Sequence, residues 1–558
     1  MKRREIIKTL SALPVAGGIM SIGPLMASPD QKKPVTDAGL LSNPEEGALA
    51  LGPQIYQSIG VEPVINCKGT FTAIGGSVEL PEVRKAVDFA AQNYVHIDEL
   101  AMAAGRRLAA ITGAEWGMVS SGCAAGMKHV TVACLTDGDP EKLVRVPDLT
   151  GFPKTEVIAP RYSRNQYDHA IRNAGVNLIT VDTMEELKNA ISSRTAMIYL
   201  FSAPDGYDNG PMSVDNVAAV AKGKNIPILV DAAAEVLTVP NIHLKRGATI
   251  VAYSGGKAIR GPQCAGLLLG KKDLLFSAWQ ASSPHHGPGR DNKVGKEEHI
   301  GMLAAVEAWV KRNHPEEEKT WISWLEYISK KVTTINGVTT KITQPKGVDN
   351  RTARLSITWD PAVLNITGEE VAADLADNKP RIVLGGGRTN PGEGTSSISI
   401  SAHMMQPGDE KIVADRIYKI LAQKHDKKNV VIEPPAANLT GNWDVSVDFY
   451  SGKGEHKLFL VKQDGNDISG THKSTFSMLD IAGKIDGKKV RLQSNYRENA
   501  ESIPYTFDGV MEGDTFSGVL FLGEYRSANF IAKRSESRQR PVNNITVPSY
   551  GGKKSDSW

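Results

Sequence analysis

Ile228-Leu-Val-Asp-Ala-Ala-Ala234 and, one short element further on, Val251-Ala-Tyr-Ser-Gly-Gly-Lys-Ala-Ile-Arg-Gly-Pro262 carry the reading of this chain. Each begins as an apolar, β-branched run of strand length. The first ends in Asp231, followed by small residues. A carboxylate at the end of a buried strand is costly unless something pairs with it. The second ends in Ser254, two glycines and Lys257. In open α/β sheets, ligands bind beyond the carboxyl ends of the strands. An acid and a lysine at two such ends answer one cofactor chemistry, that of pyridoxal 5'-phosphate (PLP). Its protonated pyridine nitrogen needs a buried carboxylate, which makes the ring an electron sink. Its aldehyde needs a lysine that burial has made nucleophilic. Asp231 and Lys257 are therefore the expected catalytic pair, with Lys257 forming the aldimine.

A third stretch precedes them. Val119-Ser-Ser-Gly-Cys-Ala-Ala-Gly126 follows the strand-like Gly117–Val119 and enters a helix near Ala124. Backbone N–H groups at a helix start, beside a hydroxyl and a glycine, form a nest for phosphate. Ser121, Gly122 and Cys123 are the expected phosphate residues, with Ser254 as a further donor. Alone, such a turn is a weak signal; ahead of the acid strand and the glycine–lysine turn it gains weight.

Around these stretches the pattern is alternating α/β from 51 to 315. Strands are expected at Thr155–Ala159, Asn177–Val181, Ala196–Phe201, Ile226–Val230 and Thr249–Tyr253. Helices are expected at Met184–Ser192 and Val214–Lys224, with Thr183 and Ser213 as N-caps. Strands alternating with helices imply a mostly parallel sheet covered on both faces. Residues 316–432 read as a smaller α+β domain, with strands at Arg354–Trp359, Arg381–Leu384 and Ser397–Ser401 and helices at Glu369–Ala376 and Glu410–Leu421. Glu433-Pro-Pro-Ala-Ala437 reads as a linker. Beyond it, 438–534 holds short alternating strands separated by Gly465-Asn466, Asp486-Gly487 and Glu512-Gly-Asp514 turns, an antiparallel β-barrel or sandwich that resembles lipocalin-like modules in broad pattern. Its aromatics Trp443, Phe449, Phe459 and Phe507 read as core rather than as a ligand cage. Residues 535–558 are polar and read as a flexible tail.

With 558 residues, of which 41% are apolar, the chain can bury several cores. Its net charge of +3 comes without a long basic stripe, which argues against nucleic-acid binding. Cys67, Cys123, Cys134 and Cys264 lack zinc spacing, so no metal is expected. Residues 1–27 open with Arg3-Arg4 and continue into an apolar run broken by Pro14, Gly17, Gly18 and Pro24. This resembles a twin-arginine (Tat) export signal and predicts a periplasmic protein without a stable membrane span, a cytoplasmic location being the alternative. Residues 28–50 read as a linker.

The stretches Val64-Ile-Asn-Cys-Lys-Gly-Thr70, Ile97-Asp-Glu-Leu100, Thr112-Gly-Ala114, Arg164-Asn-Gln-Tyr-Asp-His-Ala170, Val230-Asp-Ala-Ala-Ala-Glu235, Ser254-Gly-Gly-Lys-Ala-Ile-Arg-Gly-Pro-Gln263 and Lys293-Val-Gly-Lys-Glu-Glu298 carry a resemblance. Together they make Val64–Val310 similar to the selenocysteine synthase-like branch of fold-type I PLP enzymes, and to its D-glucosaminate-6-phosphate ammonia-lyase-type proteins. The resemblance implies an aspartate-aminotransferase-like fold and homo-oligomers with shared active sites, in which Gly261-Pro-Gln263 approaches the neighbouring site. The export signal and the β domain depart from the family pattern, which puts the usual family substrate in doubt.

Other candidates rest on less. His169 is a candidate for contact with the cofactor ring, Tyr162 being the alternative; a loop packed by its own hydrogen bonds explains either equally well. Arg290 and Lys293, in a basic segment after His285-His286, and Arg388 are candidates for a substrate carboxylate, since arginine grips carboxylates with two hydrogen bonds; solvated surface turns are the plain alternative. The expected activity is a lyase eliminating ammonia or water from an amino acid or amino-sugar acid, a small-molecule amine. The alternatives are a transferase of the selenocysteine synthase or aminotransferase type, an amino-acid racemase, or a non-catalytic binding protein on the same fold. Intact Asp231 and Lys257 argue against the last.

Overall fold

The computed structural model describes residues 49–202, 210–345, 347–349, 352–390, 392–427, 432–494 and 503–535. The export signal, nearly all of the 28–50 linker and the 535–558 tail lie outside these residues. No described helix is long and apolar enough to cross a membrane.

The larger domain is built on seven strands: β1 (Trp116–Ser120), β2 (Glu156–Pro160), β3 (Asn177–Val181), β4 (Thr195–Phe201), β5 (Ile228–Asp231), β6 (Ile250–Ser254) and β7 (Gly266–Gly270). Their order is β1-β7-β6-β5-β4-β2-β3. Four pairings are parallel, and β7 alone runs antiparallel to both its neighbours. Every residue of β1, β2, β5 and β7 is buried, as expected for strands covered on both faces. The direction of β7 has a simple cause. A parallel crossover takes about a dozen residues or more, usually a helix, and 255–265 is too short for one. The chain must turn back after Lys257 and run antiparallel beside β6.

That return places three strand ends together. Ser120 at the end of β1 and Ser254 at the end of β6 both lie opposite Gly266, the first residue of β7. Asp231 ends β5, opposite Ala252. Helix α1 (Gly122–Thr136) leaves β1 here and is buried along almost its whole length.

The smaller domain has its own core, including Leu325, Ile357, Trp359, Val371, Ile398 and Val413. Its strands are β8 (Thr339–Thr343), β9 (Arg354–Trp359), β10 (Gly386–Asn390) and β11 (Thr395–Ser401), antiparallel in the order β10-β11-β9-β8. Ile65–Cys67, early in the chain, pairs in parallel with Ile382–Leu384. The N-terminal arm is thus stitched to the smaller domain.

The C-terminal unit is a closed barrel of eight antiparallel strands in chain order: β12 (Gly441–Phe449), β13 (Gly452–Asp464), β14 (Asp467–Lys473), β15 (Met478–Asp486), β16 (Lys489–Ser494), β17 (Thr506–Glu512), β18 (Thr515–Phe521) and β19 (Ser527–Arg534). Pairing of β19 with β12 closes it, which removes the exposed edges an open sandwich would keep. Trp443, Phe507, Phe516 and Phe530 fill the interior. The stretch 433–437 is seated on the barrel: the Glu433 N–H donates to Asp486, and the Ala436 N–H donates to the Gly487 carbonyl.

One feature of the barrel sets a pH dependence. His472 and His456 are buried together, Nε2 of the first 3.1 Å from Nδ1 of the second. The Tyr505 and Phe507 rings meet His472 edge-on. Burial holds His472 down at about 3 and His456 down at about 4. The unfolded chain therefore binds these protons more readily than the folded one. Stability contributed by the neutral pair is complete above the ordinary histidine pKa of about 6.5 and is lost as pH falls toward about 4 for His456 and about 3 for His472, at up to about 1.4 kcal/mol per pH unit per histidine. Denaturant melts followed by barrel signals at about pH 7 and about pH 5 test this. The native chain should be weaker at the lower pH, and replacing both histidines with glutamine should flatten the difference. Equal loss in both proteins would refute it.

Candidate active site

Asp231 is almost fully buried, and both its oxygens accept hydrogen bonds. Oδ1 accepts from the Ala233 N–H at 3.0 Å and from the Cys123 thiol at 3.6 Å. Oδ2 accepts from the Tyr199 hydroxyl at 3.2 Å. Burial pushes the Asp231 carboxyl up, while the Ala233 N–H, the Lys257 charge, Tyr199 and Cys123 pull it down. The Ala-Ala-Ala run after Asp231 supplies the first of these donors, because the chain turns back over the carboxylate.

Lys257 lies in the tight turn between β6 and β7. Gly255 donates its N–H to Ala265, and Arg260, in a left-handed conformation (φ 57°), donates its N–H to the Lys257 carbonyl. A side chain at Gly256 would stand 2.6 Å from the Gln263 Cα, so the Gly-Gly pair is a packing requirement. The arm 76–80 lies over this turn: Ser77 donates its N–H to the Gly256 carbonyl, and the Arg260 guanidinium reaches the Val78 carbonyl. Burial lowers the Lys257 pKa, opposed by the charges of Asp231, Cys123 and Asp349.

The third component is the start of α1. Ser121 is its N-cap residue, and its side chain makes no capping bond to the helix. Gly122 has φ 81°, a left-handed conformation that only glycine adopts without strain. At Gly266, a side chain would stand 2.4 Å from the Gly122 carbonyl carbon and 2.6 Å from the Cys123 nitrogen. The bare backbone of β7 lets the first turn of α1 close onto the sheet beside Ser254. These residues fit PLP: Asp231 for the pyridine nitrogen, Lys257 for the aldehyde carbon, and the α1 N–H groups with Ser121 and Ser254 for the phosphate.

His169 is exposed at the start of the short helix His169–Arg172. Beside it, buried Asp168 accepts from Arg164 at 2.7 Å and from Arg172 at 2.8 Å, an ion-pair cluster that ties down the loop. Tyr162 spends its hydroxyl on the Met212 carbonyl. Arg290 is exposed and donates to Ser283; Lys293 and Arg388 are exposed as well. The segment carrying Arg290 and Lys293 is anchored from α1, where Lys128 donates to Asp291 and Asn292.

Sequence reasoning missed Tyr199, Asn165, Asp349 and His403. Tyr199 sits inside an unbroken hydrophobic strand, where a tyrosine reads as filler. Asp349 acts on the charge of Lys257 from the smaller domain. His403 is buried, held at about 4 by desolvation and the Arg354 charge, and hydrogen-bonded to Thr352. Gln263 borders an acidic cleft of about 520 Å³ that includes Glu79, Glu297 and Glu298.

No family model matches the chain. It is 29% identical over 334 residues to D-glucosaminate-6-phosphate ammonia lyase of Salmonella typhimurium, covering 58% of this chain and 87% of that one. The solved structure of a D-glucosaminate-6-phosphate ammonia-lyase superposes with a TM-score of 0.59 at 27% identity, over 67% of this chain and all of the other. The chain is 26% identical over 382 residues to a Streptomyces 5'-C-glycyluridine monooxygenase-decarboxylase, covering 66% of this chain and 92% of that one. A shorter match, 28% identical over 184 residues, joins 28% of this chain to 38% of the L-seryl-tRNA(Sec) selenium transferase of Proteus mirabilis. With the Asp231, Lys257 and α1 arrangement, these similarities support the selenocysteine synthase-like branch of fold-type I PLP-dependent enzymes for this chain, and pyridoxal 5'-phosphate is its expected cofactor.

Proposed function

We propose that the chain is a PLP-dependent lyase that eliminates ammonia or water from a small amino acid or amino-sugar acid. The observation that carries this is the likeness to an ammonia lyase over 87% of that relative's length, with Asp231 and Lys257 both in place. When bound, PLP stabilises the negative charge that develops on the carbon beside the substrate amine. Lys257 moves the proton: burial lowers its pKa, which favours the neutral amine that accepts at Nζ. Asp231 holds negative charge where the pyridine nitrogen needs it. A substrate carboxylate is assigned to the cationic groups Arg290, Lys293 or Arg388. The test is a screen of free amino acids and amino-sugar acids against purified protein, following ammonia and keto-acid release. Release from one of them without tRNA supports the lyase. Products that keep the amine, inverted or transferred, would replace it with a racemase or transferase.

The same reading includes a homo-oligomer; Val78, Phe89, Tyr94 and Val95 are exposed apolar side chains within one N-terminal stretch. It also includes export of the folded, PLP-loaded protein to the periplasm, because Arg3-Arg4 resembles a Tat signal and that route carries folded cargo. Aminoacyl-tRNA is absent from that compartment and cytosolic sugar phosphates should be scarce there, which together favour a small, non-phosphorylated substrate. Replacing Arg3 and Arg4 with lysine should trap the protein in the cytoplasm, as fractionation would show. Unchanged distribution, or cytoplasmic residence of the native chain, would remove the argument against tRNA.

A further inference from the structure

The hydrogen bonds behind Asp231 have a direction. Asn165 is buried, and its Oδ1 accepts the Tyr167 N–H at 2.8 Å. Its Nδ2 donates to the Ser163 carbonyl at 3.1 Å and to the Tyr199 hydroxyl at 3.4 Å. A backbone N–H can only donate and a carbonyl can only accept, so the amide cannot be flipped without losing both bonds. The Tyr199 oxygen therefore receives a proton donor from Asn165. Its own proton is left to point at Asp231 Oδ2, 3.2 Å away.

We propose that Asn165 and Tyr199 form a one-way relay that keeps Asp231 ionised in its buried site, with Tyr199 as the positioning residue for the carboxylate that meets the cofactor nitrogen. A tyrosine inside β4 would otherwise have no reason to turn its hydroxyl into the sheet. Tyr199 is fully buried, so burial without a partner would cost its hydroxyl a hydrogen bond. The partner it has is the one acid that must stay charged. The opposite oxygen is held by the Ala233 N–H and the Cys123 thiol, whose proton burial and the Asp231 charge retain. The carboxylate thus meets donors at both oxygens before any ligand arrives.

The inference rests on the assignment of Asp231 to the cofactor, and the test separates the two. PLP affinity of cofactor-free protein is measured against pH, without substrate, for native, Asp231→Asn and Tyr199→Phe chains. Tyr199→Phe keeps the ring and its packing and removes only the donor. It should weaken PLP binding by about tenfold near neutral pH, and move the acid limb of the affinity profile up by about one pH unit, as expected when a donor to an ionised group is lost. Asp231→Asn should weaken binding and remove that limb altogether. In Tyr199→Phe, kcat should fall with little change in KM. A purely structural role for Tyr199 would lower the melting temperature and leave the acid limb in place. That result, alongside an affected Asp231→Asn, overturns the relay alone. If Asp231→Asn binds PLP with the native profile, the assignment of Asp231 falls with it. Should Tyr199→Phe fail to fold, Asn165→Ser gives the same reading. It should shift the limb in the same direction by less, and an unshifted limb there overturns the relay.

Discussion

Lys257→Ala should lose the visible absorbance of the bound cofactor and at least about ten-thousandfold in turnover. Two separate contributions disappear. The covalent attachment of PLP needs an amine at this end of β6, and the proton transfer needs a base at the same atom. Burial lowers the Lys257 pKa, with Asp231, Cys123 and Asp349 opposing, which favours the neutral amine that both roles use. Phosphate binding should survive, because the start of α1 and Ser254 do not depend on the lysine. Lys257→Ala is thus expected to take up PLP weakly and reversibly, which dialysis and absorbance would reveal. Borohydride treatment followed by peptide mapping is the decisive measurement. A reduced cofactor–protein bond in Lys257→Ala would assign the attachment to another residue.

The second large effect is expected at Asp231. Asp231→Asn should slow turnover by at least roughly a hundredfold, corresponding to about 3 kcal/mol of electrostatic stabilisation. The surroundings make asparagine a poor substitute. Both carboxylate oxygens receive donors, from Ala233 and Cys123 on one side and from Tyr199 on the other. An amide must turn its NH2 toward one of these donors, leaving buried groups unpaired at about 1–3 kcal/mol. The variant should therefore melt earlier as well as react slowly. Steady-state kinetics with calorimetry would show both, and near-native turnover would transfer the role to another acid.

The strand ends that carry Asp231, Lys257 and the Ser121–Cys123 turn were legible in the linear chain because local hydrophobic pattern marks them. Trp116–Ser120, Ile228–Asp231 and Ile250–Ser254 are buried strands that end in polar residues; the Ser121–Cys123 turn follows the first, Asp231 ends the second and Lys257 lies just past the third. Period-2 runs between turn signals likewise made an antiparallel β unit readable from Gly441 to Arg534. Whether it was a barrel or a sandwich was not readable, because closure depends on one pairing between its first and last strands, Gly441–Phe449 and Ser527–Arg534. No local propensity encodes such a pairing. The same limit hid the reversal of β7 until the length of the 255–265 turn was set against its neighbours. It also hid the pairing of Ile65–Cys67 with Ile382–Leu384. Tyr199 shows the limit most plainly. Within Thr195–Phe201 it is one more large residue of a buried strand. Only the register that sets Phe201 opposite Asp231, and the loop that brings Asn165 behind it, turns its hydroxyl into a donor for the acid. Hydrophobic periodicity marks which residues are buried, since burial follows from the chain's own spacing. What a buried polar atom faces is set by neighbours far away in sequence, and that appears only once the sheet has assembled.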